Sequence, residues 1–418
     1  MNVGGAAVPP PFPAYDEAIS WLYGLQRFGI KLGLENAQRL LTELDIDLRG
    51  IRVAHVAGTN GKGSVCAMID SVCRAAGHRT GLFTSPHLVS FRERIRVNGE
   101  MISQHEVVGG LARLRTMVAD WEPHPTFFEL ATALALQHFS EANCAVIVLE
   151  TGMGGRLDAT NAVPSNVSII TPIGLDHQTW LGQTVPEIAA EKAGIIKPNV
   201  PVISSRQVPE AEDVIRTRAA ECEAPLTFVN EPYEASPIVL RGEHQKENAA
   251  AAIAAVRAAG IAVTELDIMR GLSLVEWPAR FQRWDERTII DGAHNPAAAS
   301  VLAQTWRAMF ADQRATLILA ILSDKDARAI CQALAPITEF VFLPKIRSER
   351  ALPPNDLAQT LSRITPQLHY SVTASLPEAL EKARARSAPI LITGSLHFAG
   401  EALACLRGEP ASFEECAQ

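Results

Sequence analysis

The chain predicts an α/β protein built as two units. The first is a larger parallel-sheet unit opened by a phosphate-loop-like turn, and the second is a smaller Rossmann-like α/β unit. Three observations carry this. Short β-rich runs alternate with longer helical patterns, which is how a parallel sheet wrapped by helices is written. That pattern restarts after a proline-bearing seam, "LVEWPARFQRW" (274–284). A length of 418 residues also exceeds one ordinary core.

In the first unit the runs at 53–57, 80–84, 145–150, 167–171 and 201–205 read as strands. "AVIVLE" and "VSIIT" are largely apolar runs, which suit strands buried on both faces. Helical spacing predicts helices over 64–76, 127–141, 185–196, 210–223 and 245–259, and a weaker one over 106–120 that carries paired glycines. In the second unit "RTIIDGAH", "ATLILAIL", "EFVFLP" and "PILITGS" are the strand candidates. The linker at the seam divides the chain into 1–278 and 279–418.

Composition narrows the function classes. Apolar residues make up 47% and charged residues 20%, with a net charge of −8, which reads as globular. There is no basic block to attract nucleic acid or an anionic membrane. Nor does any apolar run approach the ~20 residues of a membrane helix. The seven cysteines (66, 73, 144, 222, 331, 405 and 416) form no CxxC pair. Free thiols in a reducing cytosol are expected, not disulfides or a zinc site. The start, "MNVGGAAVPPPFPAY", reads as an extended arm and not a secretion signal.

"VAHVAGTNGKGSV" (53–65) departs from the usual phosphate loop. Gly61 and Lys62 are present, but Val56 stands where the first glycine is expected, and Gly63 displaces the hydroxyl to Ser64. Glycines and a helix start turn backbone N–H groups toward an anion. Lys62 can neutralise outer phosphates, with Thr59 and Ser64 supplying nearby hydroxyls. Nucleotide binding follows from Gly58, Thr59, Asn60, Gly61, Lys62, Gly63 and Ser64; the reaction does not.

Polyphosphate chemistry calls for a hard cation with oxygen ligands. Three strand tips offer candidates: Ser85 in "FTSPHL", Glu150 in "AVIVLETG", and Asp176-His177 in "GLDHQ". Ligand sites in open α/β sheets lie beyond the carboxyl ends of strands, so these tips should converge near Lys62. Taken singly, Ser85 reads as a turn residue and His177 as a packed histidine. Glu150 ends an apolar strand, where a carboxylate without a partner is costly.

"HVAGTNGKGSV", "TSPHL", "ERIRVNG", "LETGMGGRLDATN", "GLDHQTWLG", "IAAEKAGIIK", "RFQ" and "DGAHNP" follow one another from residue 55 to 296, and "ILITGSLHFAGEAL" lies near the end. Together they resemble folylpolyglutamate synthase and the bifunctional dihydrofolate synthase/folylpolyglutamate synthase of bacteria, members of the Mur ligase superfamily. The resemblance makes the unusual loop the family's own form.

The resemblance implies an ATP-dependent ligase that adds L-glutamate to dihydropteroate, to the γ-carboxyl of folates, or to both, through an acyl phosphate. It implies a cytoplasmic monomer using ATP and two Mg²⁺ ions. Ser85 and Glu150 would ligate one ion and His177 the second, while Lys192 would be carbamylated. On its own Lys192 reads as a helix-surface lysine. Asn248, Arg280 and Asp291 would contact ATP. Thr126, Phe127, Phe128 and Glu129, with Arg156, Leu157 and Asp158, would bind the pterin-bearing substrate. Asn248 also reads as an exposed helix residue, and one of the two phenylalanines as core. Arg92, Arg94 and Arg96 alternate as on a strand face, either a solvated edge or a seat for an acidic tail.

Other readings are a cell-wall Mur ligase, a kinase with a phosphate loop, and an inactive nucleotide-binding protein. The first needs an additional N-terminal domain, for which the ~55 residues before the loop leave no room. The last would lack one of Lys62, Glu150, His177 and Asp291.

Overall fold

The structure is a computed structural model describing residues 12–28 and 33–415. The expected extended arm lies mostly outside the described residues, as does Cys416.

The first unit folds around eight strands: β1 (Arg52–Ala57), β2 (Thr80–Phe83), β3 (Ile95–Val97), β4 (Glu100–Met101), β5 (Val146–Glu150), β6 (Val167–Ile170), β7 (Val202–Ser205) and β8 (Leu226–Val229). Their order is β4-β3-β2-β5-β1-β6-β7-β8. All five expected strands are present within a residue or two. The sheet is parallel except that β3 pairs antiparallel with β2 and β4 antiparallel with β3. Register places the site. Val56 of β1 lies opposite Glu150 of β5, and Ala57 opposite Ile170 of β6. Phe83 of β2 lies opposite Leu149. The ends of β1, β2, β5 and β6 therefore stop along one edge. There the chain turns into the helix Lys62–Ala75 and into the loops carrying Ser85, Gly152 and Asp176.

The second unit holds β9 (Gln282–Arg283), β10 (Thr288–Ile290), β11 (Ala315–Leu319), β12 (Thr338–Pro344), β13 (His369–Thr373) and β14 (Ile390–Thr393), ordered β13-β12-β11-β14-β10-β9. Only β9 is antiparallel. Strands such as Val146–Glu150 and Ile390–Thr393 are buried at every residue, as central parallel strands require. The six described cysteines carry free thiols.

One expectation fails in the first unit, and an edge strand there goes unread. β8 was not legible, because its alternating, half-buried residues sit at a sheet edge. Arg92, Arg94 and Arg96 do not share a strand face. Phe91–Arg94 is a short 3₁₀ turn capped by Ser90, and only Ile95–Val97 is strand. Arg94 points inward and is fully buried. Its Nε donates to His87 Nδ1 at 2.9 Å, and its guanidinium lies over the Phe127 ring.

The seam between the units carries strain. Ala279 and Phe281 have φ of 55° and 46°, a region that costs a bulky residue of order 1–3 kcal/mol. Asp291 compensates by accepting the Phe281 N–H at 2.7 Å and the Ala293 N–H at 2.8 Å. The Gly292 N–H is accepted by Ala279 O. The turn is thus clamped against the tip of β10.

Candidate active site

A cleft of about 540 Å³ runs between the two sheets. Its wall includes Gly58–Ser64, Ser85, Glu150, His177 and Lys192 from the first unit, with Arg280 and Asp291 from the seam and β10.

The glycine turn is shaped by close approach. A side chain at Gly58 would collide with the Thr171 hydroxyl. Gly61 caps the helix with φ of 89° and has no side-chain cap. The first N–H groups of a helix lack internal acceptors, so those following Gly61 face the cleft as anion donors. Earlier in the turn the amides serve the scaffold: Thr59 and Asn60 N–H both donate to Pro172 O. The Thr59 hydroxyl donates to Gly174 O at 3.0 Å. Gly63 occupies the usual hydroxyl position because Trp277 packs there; a methyl would sit 2.7 Å from Trp277 Nε1. Lys62 curls back, with Nζ 3.2 Å from Gly58 O.

Asn248 is buried, not an exposed helix residue. It packs on the turn, and a methyl at Gly61 would stand 2.7 Å from its Oδ1. Gly61→Ala would combine this clash with a left-handed φ costing about 1–2 kcal/mol. We expect chemical denaturation to show that loss and calorimetry to show ATP binding weakened by tenfold or more. Unchanged ATP affinity would exclude the turn as the phosphate seat.

Glu150 is 5% exposed. Burial raises its pKa, opposed by Lys62. Its Oε2 accepts the Ser85 N–H at 3.1 Å. The Ser85 hydroxyl is buried and has no partner. His177 sits at the cleft mouth in a left-handed conformation (φ 50°). The surrounding walls desolvate its ring and, with Lys325, Lys62 and Lys192, push its pKa down to about 4 despite Asp176. The imidazole is therefore neutral and able to ligate. No group of three His, Cys, Asp or Glu side chains gathers among the described residues. This donor set fits Mg²⁺, which keeps waters and takes phosphate oxygens in place of a full protein cage.

Lys192 is 4% exposed, which corrects its reading as a surface lysine. Ile188, Ala189, Lys192 and Ala193 form the buried face of the helix Val185–Ala193. Lys192 Nζ donates to Gly58 O at 2.8 Å. Burial, then the charge of Lys62, pushes its pKa down to about 7.

A cross-cleft chain of polar groups was not legible in the sequence. Asn295 caps the helix Pro296–Phe310. It donates to Asn60 Oδ1 at 2.9 Å and to Asp176 Oδ2 at 3.3 Å. Lys325 reaches Asp176 Oδ1 at 2.5 Å, with both side chains 8% exposed. Burial alone would raise the Asp176 pKa, but His294, His177 and Lys325 hold it well below the usual range. His294 and Asn295 lie inside the noticed "DGAHNP" block; Lys325, in "SDKDAR", carried no signal.

The pterin candidates lie outside the wall of this cleft. Thr126 caps the helix Phe127–Glu141, and Glu129 Oε2 returns to Thr126 N and Oγ1. Phe127 is core, set against Tyr23 and Phe91. Phe128 packs over Gly152, where a methyl would lie 2.6 Å from its ring. Asp158, expected to bind the substrate, is engaged by its own loop. Its oxygens take the N–H groups of Gly152, Met153 and Thr160 and the Thr160 hydroxyl, so it shapes the loop beside Glu150. Arg156 pairs with Glu191 at the surface, and Leu157 is half-buried.

A split cleft of this kind, with a glycine turn on one sheet and an aspartate-tipped strand on the other, is that of a Mur-type ligase. The Mur ligase middle domain matches residues 56–213, and the Mur ligase glutamate ligase domain matches residues 279–396. A dihydrofolate synthase/folylpolyglutamate synthase of Bacillus subtilis is 34% identical, with 93% of this chain and 98% of that protein covered. A bifunctional folylpolyglutamate synthase/dihydrofolate synthase of Yersinia pestis, solved with AMPPNP and Mn, superposes with a TM-score of 0.86 at 29% identity, covering 96% of this chain and 99% of that one. FolC of E. coli, solved with DHPP and ADP, gives 0.83 at 30% identity, covering 97% and 99%. The chain belongs to the dihydrofolate synthase/folylpolyglutamate synthase family and is an ATP-dependent ligase. No described helix is long and apolar enough to cross a membrane.

Proposed function

We propose that this cleft joins L-glutamate to dihydropteroate, forming dihydrofolate, and extends folates at the γ-carboxyl. The observation that carries the reading is the meeting, in one cleft, of the open helix start at Gly61, Lys62, Ser85, Glu150 and His177. Residues 1–278 act as the ATP- and folate-binding unit and residues 279–418 as the glutamate-ligase unit. The enzyme works as a cytoplasmic monomer, with neither nucleic acid nor membrane as partner.

A carboxylate does not condense with an amine in water, because its leaving group is poor. The acceptor carboxylate attacks the γ-phosphorus of ATP in line, giving an acyl phosphate and ADP. The α-amine of glutamate then displaces phosphate to form the amide. No protein nucleophile is needed, so the residues position groups and balance charge. The N–H groups after Gly61 and the Lys62 ammonium hold the triphosphate. Asn248, beside the glycine turn, and Arg280 and Asp291, from the seam and β10, hold the nucleotide, and Phe128 with the Gly152–Asp158 loop flanks the acceptor. Ser85 and Glu150 would hold one Mg²⁺ and His177 a second; when bound, the ions supply positive charge against the phosphoryl oxygens. Carbamylated Lys192 presents a carboxylate in place of a cation. Closure of the two units keeps water from the acyl phosphate.

ADP release should require ATP, acceptor and L-glutamate together. Comparing dihydropteroate, tetrahydrofolate and its one-carbon derivatives as acceptors separates the two activities. Full ADP release without glutamate would point to a kinase instead.

A further inference from the structure

The loop that carries Ser85 is gripped from outside its own unit. After the last helix of the second unit, Leu396–Leu406, the chain turns back toward the first. There Glu414 meets three parts of the molecule. Its carboxylate accepts the Phe91 N–H at 2.7 Å, the Ser90 hydroxyl at 3.0 Å and the Tyr15 hydroxyl at 3.1 Å. Its own N–H donates to Val89 O at 2.8 Å. Its carbonyl accepts from His87 Nε2 at 3.0 Å. That ring can donate there because its Nδ1 accepts from buried Arg94. Alongside, the helix Leu396–Leu406 presses on the same loop, and a side chain at Gly400 would collide with the Leu88 carbonyl. Phe413 anchors the strap edge-on to His397 at 4.9 Å.

The gripped residues, 87–91, begin two positions after Ser85. Ser85 in turn touches Glu150. Moving the strap therefore moves the loop, while the helix Lys62–Ala75 and β5 stay fixed by their own sheet. We infer that Glu414 is a positioning residue that seats Ser85 at the cation site, so that this site is complete only while the C-terminal strap is docked. The inference rests on Ser85 serving the cation, as proposed above.

The test measures Mn²⁺ binding by electron paramagnetic resonance with AMPPCP present, for the full-length wild type and for E414A, E414Q, Y15F, S90A and S85A. E414A should weaken Mn²⁺ binding at least fivefold and raise the half-saturating Mg²⁺ for turnover in parallel. KM for L-glutamate should change by less than twofold. Hydrogen exchange at the 89–94 amides should quicken tenfold or more. E414Q, which keeps part of the acceptor set, should fall between E414A and wild type. Should E414A fail to fold, Y15F and S90A each remove one bond to Glu414, S90A together with the Ser90 cap on the 91–94 turn, and should each weaken Mn²⁺ binding about twofold. Wild-type Mn²⁺ affinity in folded E414A, or in both single-bond variants, would overturn the positioning role. Wild-type affinity in S85A would instead overturn the ligand reading on which it rests.

Discussion

Glu150→Gln is expected to lower turnover by about 10²–10³-fold, the scale set by losing one electrostatic contact to a transition state, while the protein stays folded. The amide is nearly isosteric and can still accept the Ser85 N–H. It cannot neutralise a cation. The stability effect should run the other way. Burial raises the Glu150 pKa above its unfolded value, so the fold favours the protonated form. Above that raised pKa the ionised carboxylate costs folding free energy, and a neutral amide removes the cost. Equal or higher thermal stability with lost turnover is therefore the expected signature, as at other sites that give up stability for function. Near-normal turnover in this variant would remove Glu150 from the metal assignment.

Lys192→Ala is expected to cost about as much, roughly 10²-fold or more, with part of the activity restored by added acetate or formate. Carbamylation joins the neutral amine to CO₂, forms the N–C bond and releases a proton. Only the uncharged amine reacts. With the pKa pushed down to about 7 by burial and by Lys62, that form prevails above pH 7, whereas an ordinary lysine would remain charged. Carbamate should therefore be lost as pH falls through 7. A ¹³CO₂-derived carbamate signal, present in wild type and absent in the variant, checks the modification directly. Full activity of the variant without rescue would exclude the role.

The parts of the site that could be read in the sequence are those written locally. The turn at 58–64 declares itself through adjacent glycines and a lysine between a strand and a helix. Glu150 is conspicuous as a charge closing an apolar run. Lys192 was readable but overlooked: its spacing from Ile188 and Ala189 places it on the buried face of a short helix. Arg94 misled because three alternating arginines suggest a solvated strand, whereas a capped 3₁₀ turn rotates one of them into the core. The Asn60–Asn295 and Asp176–Lys325 contacts join residues 235 and 149 positions apart. Nothing in the spacing of either partner announces the other, and only the approach of the two sheets creates them. Asp158 is assigned to substrate only through the family resemblance of its segment, but here the backbone N–H groups of its own loop claim it.

The depth of the Asp176–Lys325 pair sets how the enzyme meets its ionic surroundings. At physiological ionic strength mobile ions screen exposed charges over about 8 Å, and they reach enclosed pairs far less. Potassium chloride would thus quench surface pairs such as Arg49–Asp47, with the arginine side chain 91% exposed, and leave the bond across the cleft nearly untouched. The Asp176–Lys325 contact between the two units is therefore expected to be nearly indifferent to added salt.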